Sequence, residues 1–291
     1  MGAEPHIRLP QVAVEADMLN VVQAPVYATE LERLVAILGI PFHQTTLAGA
    51  VDRIDAMVAD GGAHYVVTPN VDFLVKAQRD NELRRILVRA DLVLCDGKPI
   101  VWASHLLGGV LPCRVTGSDL VPLLLQRAAE KGWRIFLLGG SPAVAAEAAR
   151  RIGAAHPSLP QVSHYSPPYL PLLEMDNMGI ADRIRTARPD VVLVCFGCPK
   201  QEKWISRNLH LLRVPVMIAA GATIDFLAGS MARAPVWMQR SGTEWVFRLI
   251  QEPKRLAMRY ADDLLHFFPA ILRQRWHQRP ASAPGQTKGR P

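Results

Sequence analysis

The sequence predicts an α/β protein, a Rossmann-like parallel sheet with helices on both faces, followed by a C-terminal helical appendage. Three observations predict it. Short apolar runs alternate with longer helix-like segments through the middle of the chain, as strand–helix–strand units do. Each run is nearly continuous in apolar residues and ends in Gly, Pro, Asn or Asp, as strands covered on both faces do. The 291 residues, 49% of them hydrophobic, are enough for a large core.

Taken in order, residues 1–24 read as an N-terminal extension and 25–232 as the α/β body. Strands are expected at His64–Thr68, Asp91–Cys95, Arg134–Leu138, Asp190–Cys195 and Val214–Ala219. Helices are expected between them over 71–89, 118–131, 142–153 and 199–212, with Ser118 as an N-cap and Pro199 in a first turn. His156–Pro171, with five prolines, reads as a loop or irregular crossover. Residues 233–279 form the appendage and 280–291 a disordered tail. No internal repeat is visible.

The charge is unevenly placed. Residues 1–232 hold 22 basic and 22 acidic side chains, whereas 233–291 hold 11 and 4, so the whole net charge of +7 sits in the last fifth of the chain. A neutral body with a basic end suggests an anionic partner, nucleic acid or acidic lipid. Arg248, Glu252, Arg255 and Arg259 fall on one helical face at i, i+4, i+7 and i+11, and Trp245, Leu249, Leu256, Tyr260 and Leu264 fall on another. A basic amphipathic helix of this kind fits the interface of an anionic bilayer, or a helix packed on its own body with a solvated basic face. No helix-turn-helix, finger or RNP signature supports nucleic acid. The longest apolar run, Pro99–Cys113, is too short and too interrupted to span a bilayer. With no secretory signal pattern at the N-terminus, a cytoplasmic location is expected.

In open α/β sheets ligands bind beyond the carboxyl ends of the strands, so the residues just after each run are the candidates. Thr68 and Asn70 follow the first strand, and Asp96 and Gly97 the second, one strand–helix–strand unit later. If the two strands are neighbours, Thr68 and Asp96 share a pocket. Asp96 is the one carboxylate directly after a strand and before a glycine, although Asp-Gly is also a turn former. Asn70 and Asp72 could touch a sugar or simply cap the next helix. Arg114, Thr116 and Ser118 set a cation and hydroxyls beside a helix start, an anion site or a solvated surface. Gly139 and Gly140 could cradle a diphosphate or merely make a tight strand-to-helix turn, and G-x-G-x-x-G is absent. Gly197, Lys200 and Gln201 bring backbone N–H groups and polar side chains to one helix start, where Glu202 could be no more than a helix N-terminal charge. Cys195 and Cys198 form a C-x-x-C without a second pair, so buried free thiols are expected. Neither D-x-D nor histidine ligand spacing occurs, and no metal or other cofactor is expected.

Several segments together resemble the WecG/TagA/CpsF family of bacterial glycosyltransferases: TPNVDFLVKAQRD, ADLVLCDGKPIVWA, RVTGSDL, IFLLGG, RPDVVLVCFGCPKQEKWI, GATIDFLAG and RAPVWMQRSGTEWVFRLIQEPKRLAMRY. They match in order and spacing over about residues 35–262, departing at Thr243, where the family more often has Leu. The resemblance implies inverting transfer of an N-acetylhexosamine, glucose or glucuronic acid from a UDP-sugar donor to a polyprenyl-diphosphate-linked saccharide acceptor. It places the work on the anionic inner face of the cell membrane, in surface-polysaccharide assembly. By the same resemblance Asp96 is the general base, Thr68 its polar neighbour and Gln201 the glutamine of PKQE. Backbone N–H groups, with Arg233, Arg248 and Arg255 from the appendage, would hold the diphosphate in place of a metal. A non-catalytic assembly subunit is the alternative outside catalysis, and a nicotinamide-dependent oxidoreductase the weaker enzymatic one. The donor sugar, and whether the protein is a homo-oligomer, are not legible.

Overall fold

A computed structural model of the chain describes residues 34–278. The expected extension 1–24 and tail 280–291 lie outside the described residues. The chain opens with an antiparallel hairpin, β1 (Leu34–Ile37) and β2 (Ile40–His43), and continues into helix α1 (Leu47–Asp60). Then come β3 (His64–Val67), α2 (Val71–Arg79), α3 (Asn81–Val88), β4 (Leu92–Val93), α4 (Lys98–Leu106), α5 (Gly117–Lys131) and β5 (Ile135–Gly139). The second half holds α6 (Pro142–Ala155), β6 (Ser163–Tyr165), α7 (Asn177–Ala187), β7 (Val191–Cys195), α8 (Lys200–Leu212), β8 (Val216–Ala219) and α9 (Thr223–Ala228). Three helices close it: α10 (Val236–Ser241), α11 (Glu244–Gln251) and α12 (Pro253–His277).

Strands β3 to β8 form one six-stranded parallel sheet in the order β4-β3-β8-β7-β5-β6. Its side chains alternate between two cores. Val67, Val192, Val194 and Met217 face the core shared with α2, α3, α8 and α12, whereas Val66, Leu92, Leu137 and Ile218 face α1, α5 and α6. Burial on both faces explains why the runs read as continuous apolar stretches.

The structure adds detail to the expected elements. The helix expected over 71–89 is broken at Asp80, whose extended backbone ends α2 and whose carboxylate accepts from Leu83 N at 3.0 Å to cap α3. Pro99–Cys113 contains α4, with its proline in the first turn, and the proline-rich crossover contributes edge strand β6. The appendage is not one amphipathic helix. Pro253 lacks an N–H and biases Glu252 out of the helical region, so α11 stops at Gln251 and α12 starts afresh. Arg248 and Arg259 therefore stand on different helices.

Helix α12 packs along α2, burying Leu256, Phe267 and Ile271. At its far end Gln274 accepts from Leu38 N at 2.8 Å and donates to Ala36 O at 2.9 Å, tying it to the hairpin. Helix and body should therefore unfold together. Ile271→Ala is expected to lower the unfolding free energy by about 2–5 kcal/mol, read as a lower denaturant midpoint in a single transition. A loss under about 0.5 kcal/mol, the surface value, would mean that α12 is not part of the core.

Candidate active site

The carboxyl ends of β3, β4, β7 and β8 open into a cavity of about 590 Å³ whose opposite wall is built by α11 and α12. Strands β3 and β4 are hydrogen-bonded neighbours, with Val67 opposite Val93. That register sends Thr68 and Asp96 to the same cavity wall. Asp96 is held by its own N–H, which donates to Pro69 O at 3.0 Å, and by Gly97, whose φ of 145° only glycine adopts easily. That glycine lets the chain turn at once into α4, leaving the carboxylate at the cavity.

Burial is the main cause that pushes the Asp96 carboxyl up to about 6. Among the charges around it, Arg248 pulls hardest in the other direction, Glu244 raises it, Arg114 lowers it and Asp119 raises it. A carboxylate so placed is a stronger base than a solvated aspartate and is still ionised at neutral pH. Arg248 reaches it from α11 with its guanidinium over the Phe226 ring at 5.2 Å, and forms no salt bridge among the described residues. Arg114 lines the cavity too, but is braced by Glu244 at 2.9 Å and Asp119 at 3.8 Å. Its guanidinium also joins α5 to α11. Thr116 caps α5, accepting from Asp119 N at 3.1 Å. Gly117 and Ser118 follow it on the cavity wall at that helix N-terminus.

Gln201 is almost fully buried and joins two loops. Its Oε1 accepts from Gly197 N at 3.0 Å and from Gly221 N at 3.1 Å, while Nε2 donates to Glu202 Oε1 at 2.7 Å. Gly197 lies on the cavity, yet its N–H is already committed to Gln201 and does not point free at a ligand. Asn70 caps α2, accepting from Phe73 N at 3.3 Å, and also lines the cavity. Asp72 does not cap. It pairs with Lys76 at 2.8 Å and with Arg259 at 3.4 Å, and Asp263 lies 4.0 Å from the same arginine. This charged group of four was not anticipated as a unit, although the i, i+4 spacing of Asp72 and Lys76 hints at half of it.

Four expected binding residues do not line the cavity. The order β3-β8-β7-β5 sets β5 three strands, roughly 14 Å, from β3, which carries Gly139 and Gly140 away. A Cβ on Gly139 would stand 2.7 Å from Cys195 O, so this glycine serves close strand packing, and Ser141 caps α6 behind it. Lys200 donates to Leu170 O at 2.5 Å and covers the rings of Tyr169 and Phe196, fastening the crossover. Arg233 binds Asp119 and Ser118 O, tethering the chain leaving the body to α5. The side chain of Arg255 lies outside the described residues.

Cys195 and Cys198 are free thiols, and burial pushes both well up, Cys195 to about 12. Neither is a thiolate at neutral pH. Among the described residues no three His, Cys, Asp or Glu side chains are grouped to hold a metal ion. The cavity wall on the appendage side is partly apolar, with Trp245, Leu256, Tyr260, Leu264 and Phe268, and Trp102 of α4 contributes as well.

Comparison with known proteins gives a consistent result. The sequence profile of the Glycosyl transferase WecG/TagA/CpsF family matches residues 35–281. A Bacillus spizizenii (strain W23) protein named N-acetylglucosaminyldiphosphoundecaprenol N-acetyl-beta-D-mannosaminyltransferase is 30% identical over 249 residues, covering 85% of this chain and 93% of the relative. Proteins of the same name from Bacillus subtilis (strain 168) and Staphylococcus aureus (strain MW2) are 32% and 27% identical, over 75% and 76% of this chain and 84% and 86% of theirs.

Proposed function

The chain belongs to the WecG/TagA/CpsF family of glycosyl transferases, and from that premise we propose that it transfers an N-acetylhexosamine, by inversion, from a UDP-sugar to a polyprenyl-diphosphate-linked saccharide. The observation that carries this reading is Asp96: a half-buried carboxylate with a raised proton affinity, beside Thr68 and facing Arg248 across a cavity of about 590 Å³. Asp96 takes the proton from the acceptor hydroxyl as its oxygen attacks C1 of the donor sugar from the side opposite the diphosphate. The C1–O bond to UDP breaks as the new glycosidic bond forms. Charge building on the departing UDP is stabilised by Arg248, by the side chain of Lys98, which lines the cavity at the start of α4, and by the backbone N–H groups at the start of α5. The relatives' names specify a β-mannosaminyl product, which an α-linked nucleotide donor gives only by inversion. N-acetylmannosamine is therefore the first donor to test and N-acetylglucosaminyl-diphosphate-prenol the first acceptor.

The experiment is a panel of UDP-sugars with a short-chain prenyl-diphosphate acceptor, read by mass spectrometry of the lipid product. A product carrying one added N-acetylhexosamine is expected. No product from any donor would overturn the reading. The sequence has no D-x-D carboxylate pair, and among the described residues no three His, Cys, Asp or Glu side chains are grouped to hold a metal ion; turnover is expected to persist in excess EDTA. Loss of turnover restored by Mn²⁺ would reassign leaving-group stabilisation to a metal.

We place the reaction at the inner membrane surface, with α12 as the contact. No described helix is long and apolar enough to cross a membrane. Two of the three arginines expected to meet lipid are turned inward: Arg248 lines the cavity, and Arg259 lines it while pairing with Asp72. What α12 offers outward is apolar. Met258, Leu265, Phe268, Leu272 and Trp276 are exposed along one face, with Arg273 and Arg275 beside them. Replacing Leu265, Leu272 and Trp276 together by Ser is expected to abolish co-sedimentation with anionic vesicles while leaving turnover on a soluble acceptor intact. Unchanged co-sedimentation would move the membrane contact elsewhere.

A further inference from the structure

Glu202 is fully buried in the first turn of α8, yet among the described residues it forms no salt bridge, and its Oε2 has no hydrogen-bond partner. Burial pushes its carboxyl up to about 7, against hydrogen bonds from Gln201 and from its own backbone N–H, the pull of Lys76 and a hydrogen bond from Cys198. An ionisable side chain kept in such a place lowers stability, and an apolar residue of the same size would be cheaper to bury. It is therefore not there as a helix N-terminal charge in water, and packing alone does not explain it.

Its contact with Gln201 does. Gln201 meets three groups: the N–H of Gly197, the N–H of Gly221 and the Glu202 carboxylate. The two N–H groups require the amide oxygen, and the carboxylate requires the amide nitrogen. A carboxamide can be inserted either way round, and Glu202 is the one acceptor that enforces the orientation on the nitrogen side. We propose that Glu202 is a positioning residue for Gln201, turning its carbonyl onto Gly197 and Gly221 so that the loops after β7 and β8 form one fixed cavity floor, with the remaining Gln201 N–H directed to the substrate. This rests on the transferase reading only in its kinetic consequence. The arrangement does not require the charge, because a proton carried on the unpartnered Oε2 would leave Oε1 free to accept from Gln201.

Three substitutions separate an acceptor from a charge and from packing. Glu202→Gln keeps an oxygen facing Gln201, Glu202→Asp keeps the charge but withdraws the oxygen by one methylene, and Glu202→Met keeps the volume with no acceptor. With the soluble acceptor, Glu202→Asp and Glu202→Met are expected to lower kcat about 10- to 100-fold with KM for the donor within about threefold. Glu202→Gln should restore kcat to within about threefold of the unmodified protein, and Glu202→Met should melt no lower than it. In parallel, the side-chain amide of Gln201, assigned by its loss in Gln201→Glu, is followed by ¹⁵N–¹H spectroscopy. Slow hydrogen exchange is expected in the unmodified protein and Glu202→Gln, and fast exchange in Glu202→Asp. Equal kcat in all three variants, or equally slow amide exchange in all of them, would overturn the proposal. If the unmodified protein makes no product, the transferase reading fails while the amide spectra still decide the role of Glu202.

Discussion

Asp96→Asn is expected to lower kcat by about 100- to 10,000-fold, the usual range for loss of a general base, while UDP still binds. Asparagine matches the shape of aspartate and can still accept a hydrogen bond, but it takes no proton from the acceptor hydroxyl. The pH dependence gives a second signature. Asp96 acts as a base only when ionised, so the rate of the unmodified protein should rise with pH through about 6, the value to which burial lifts its carboxyl. In Asp96→Asn the small residual rate should lack that limb. Stability moves the other way. A carboxyl with a higher proton affinity in the folded chain than in the unfolded chain favours folding while protonated. That contribution is lost as pH rises from the ordinary aspartate range through about 6. Above this window the unmodified protein carries an ionised, desolvated Asp96, and Asp96→Asn should melt higher than it does at pH 7.5. Lower kcat together with a higher melting temperature distinguishes a removed base from a damaged fold. Near-normal turnover in Asp96→Asn would remove Asp96 from the chemistry.

Much of this site could be read from the order of residues along the chain, because a parallel sheet turns local patterns into a shared edge. Thr68 and Asp96 each follow an apolar run, and neighbouring parallel strands necessarily put such residues at one end of the sheet. Gln201 was legible in the same way, one residue into the helix after β7. Strand order was not legible, and it decides which strand ends meet. Gly139 and Gly140 are as glycine-rich and as close to a helix start as any phosphate loop, yet the insertion of β7 and β8 between β5 and β3 takes them away. Long-range polar partners were equally hidden. Nothing near Arg114 in sequence announces Glu244, and nothing near Arg233 announces that it would bind Asp119. The hairpin β1–β2 and α1 precede the first strand recognised in the sequence, and short four-residue strands give too little periodicity to separate from loop. The appendage shows the converse error. A continuous i, i+4, i+7 pattern joins Arg248 to Arg259 on one face of the sequence, whereas Pro253 breaks the helix between them.

That break sends Arg248 into the cavity, and Arg248→Met is expected to lower kcat/KM by about 100- to 1,000-fold, the loss typical of removing one preorganised group that stabilises transition-state charge. Methionine keeps an apolar stem against Phe226 and removes only the charge, and a short soluble acceptor excludes any effect through the membrane. Arg248 has two jobs in this reading. It faces the departing diphosphate, and it is the strongest of the nearby charges that hold the Asp96 carboxyl down against burial. Removing it must therefore raise the proton affinity of Asp96. The acidic limb of the rate profile should shift above about 6, so activity recovers in part as the pH is raised. Glu244 has the opposite sign, raising the Asp96 carboxyl and neutralising Arg114 across 2.9 Å. Glu244→Gln should accordingly move the limb to lower pH. A common cause, such as loosening of α11, would shift both variants in one direction, because both residues stand on that helix. Opposite shifts require the charges themselves to be felt at Asp96. An unmoved acidic limb in Arg248→Met, with kcat/KM within about threefold of the unmodified protein, would show that the appendage covers the cavity without taking part in the transfer.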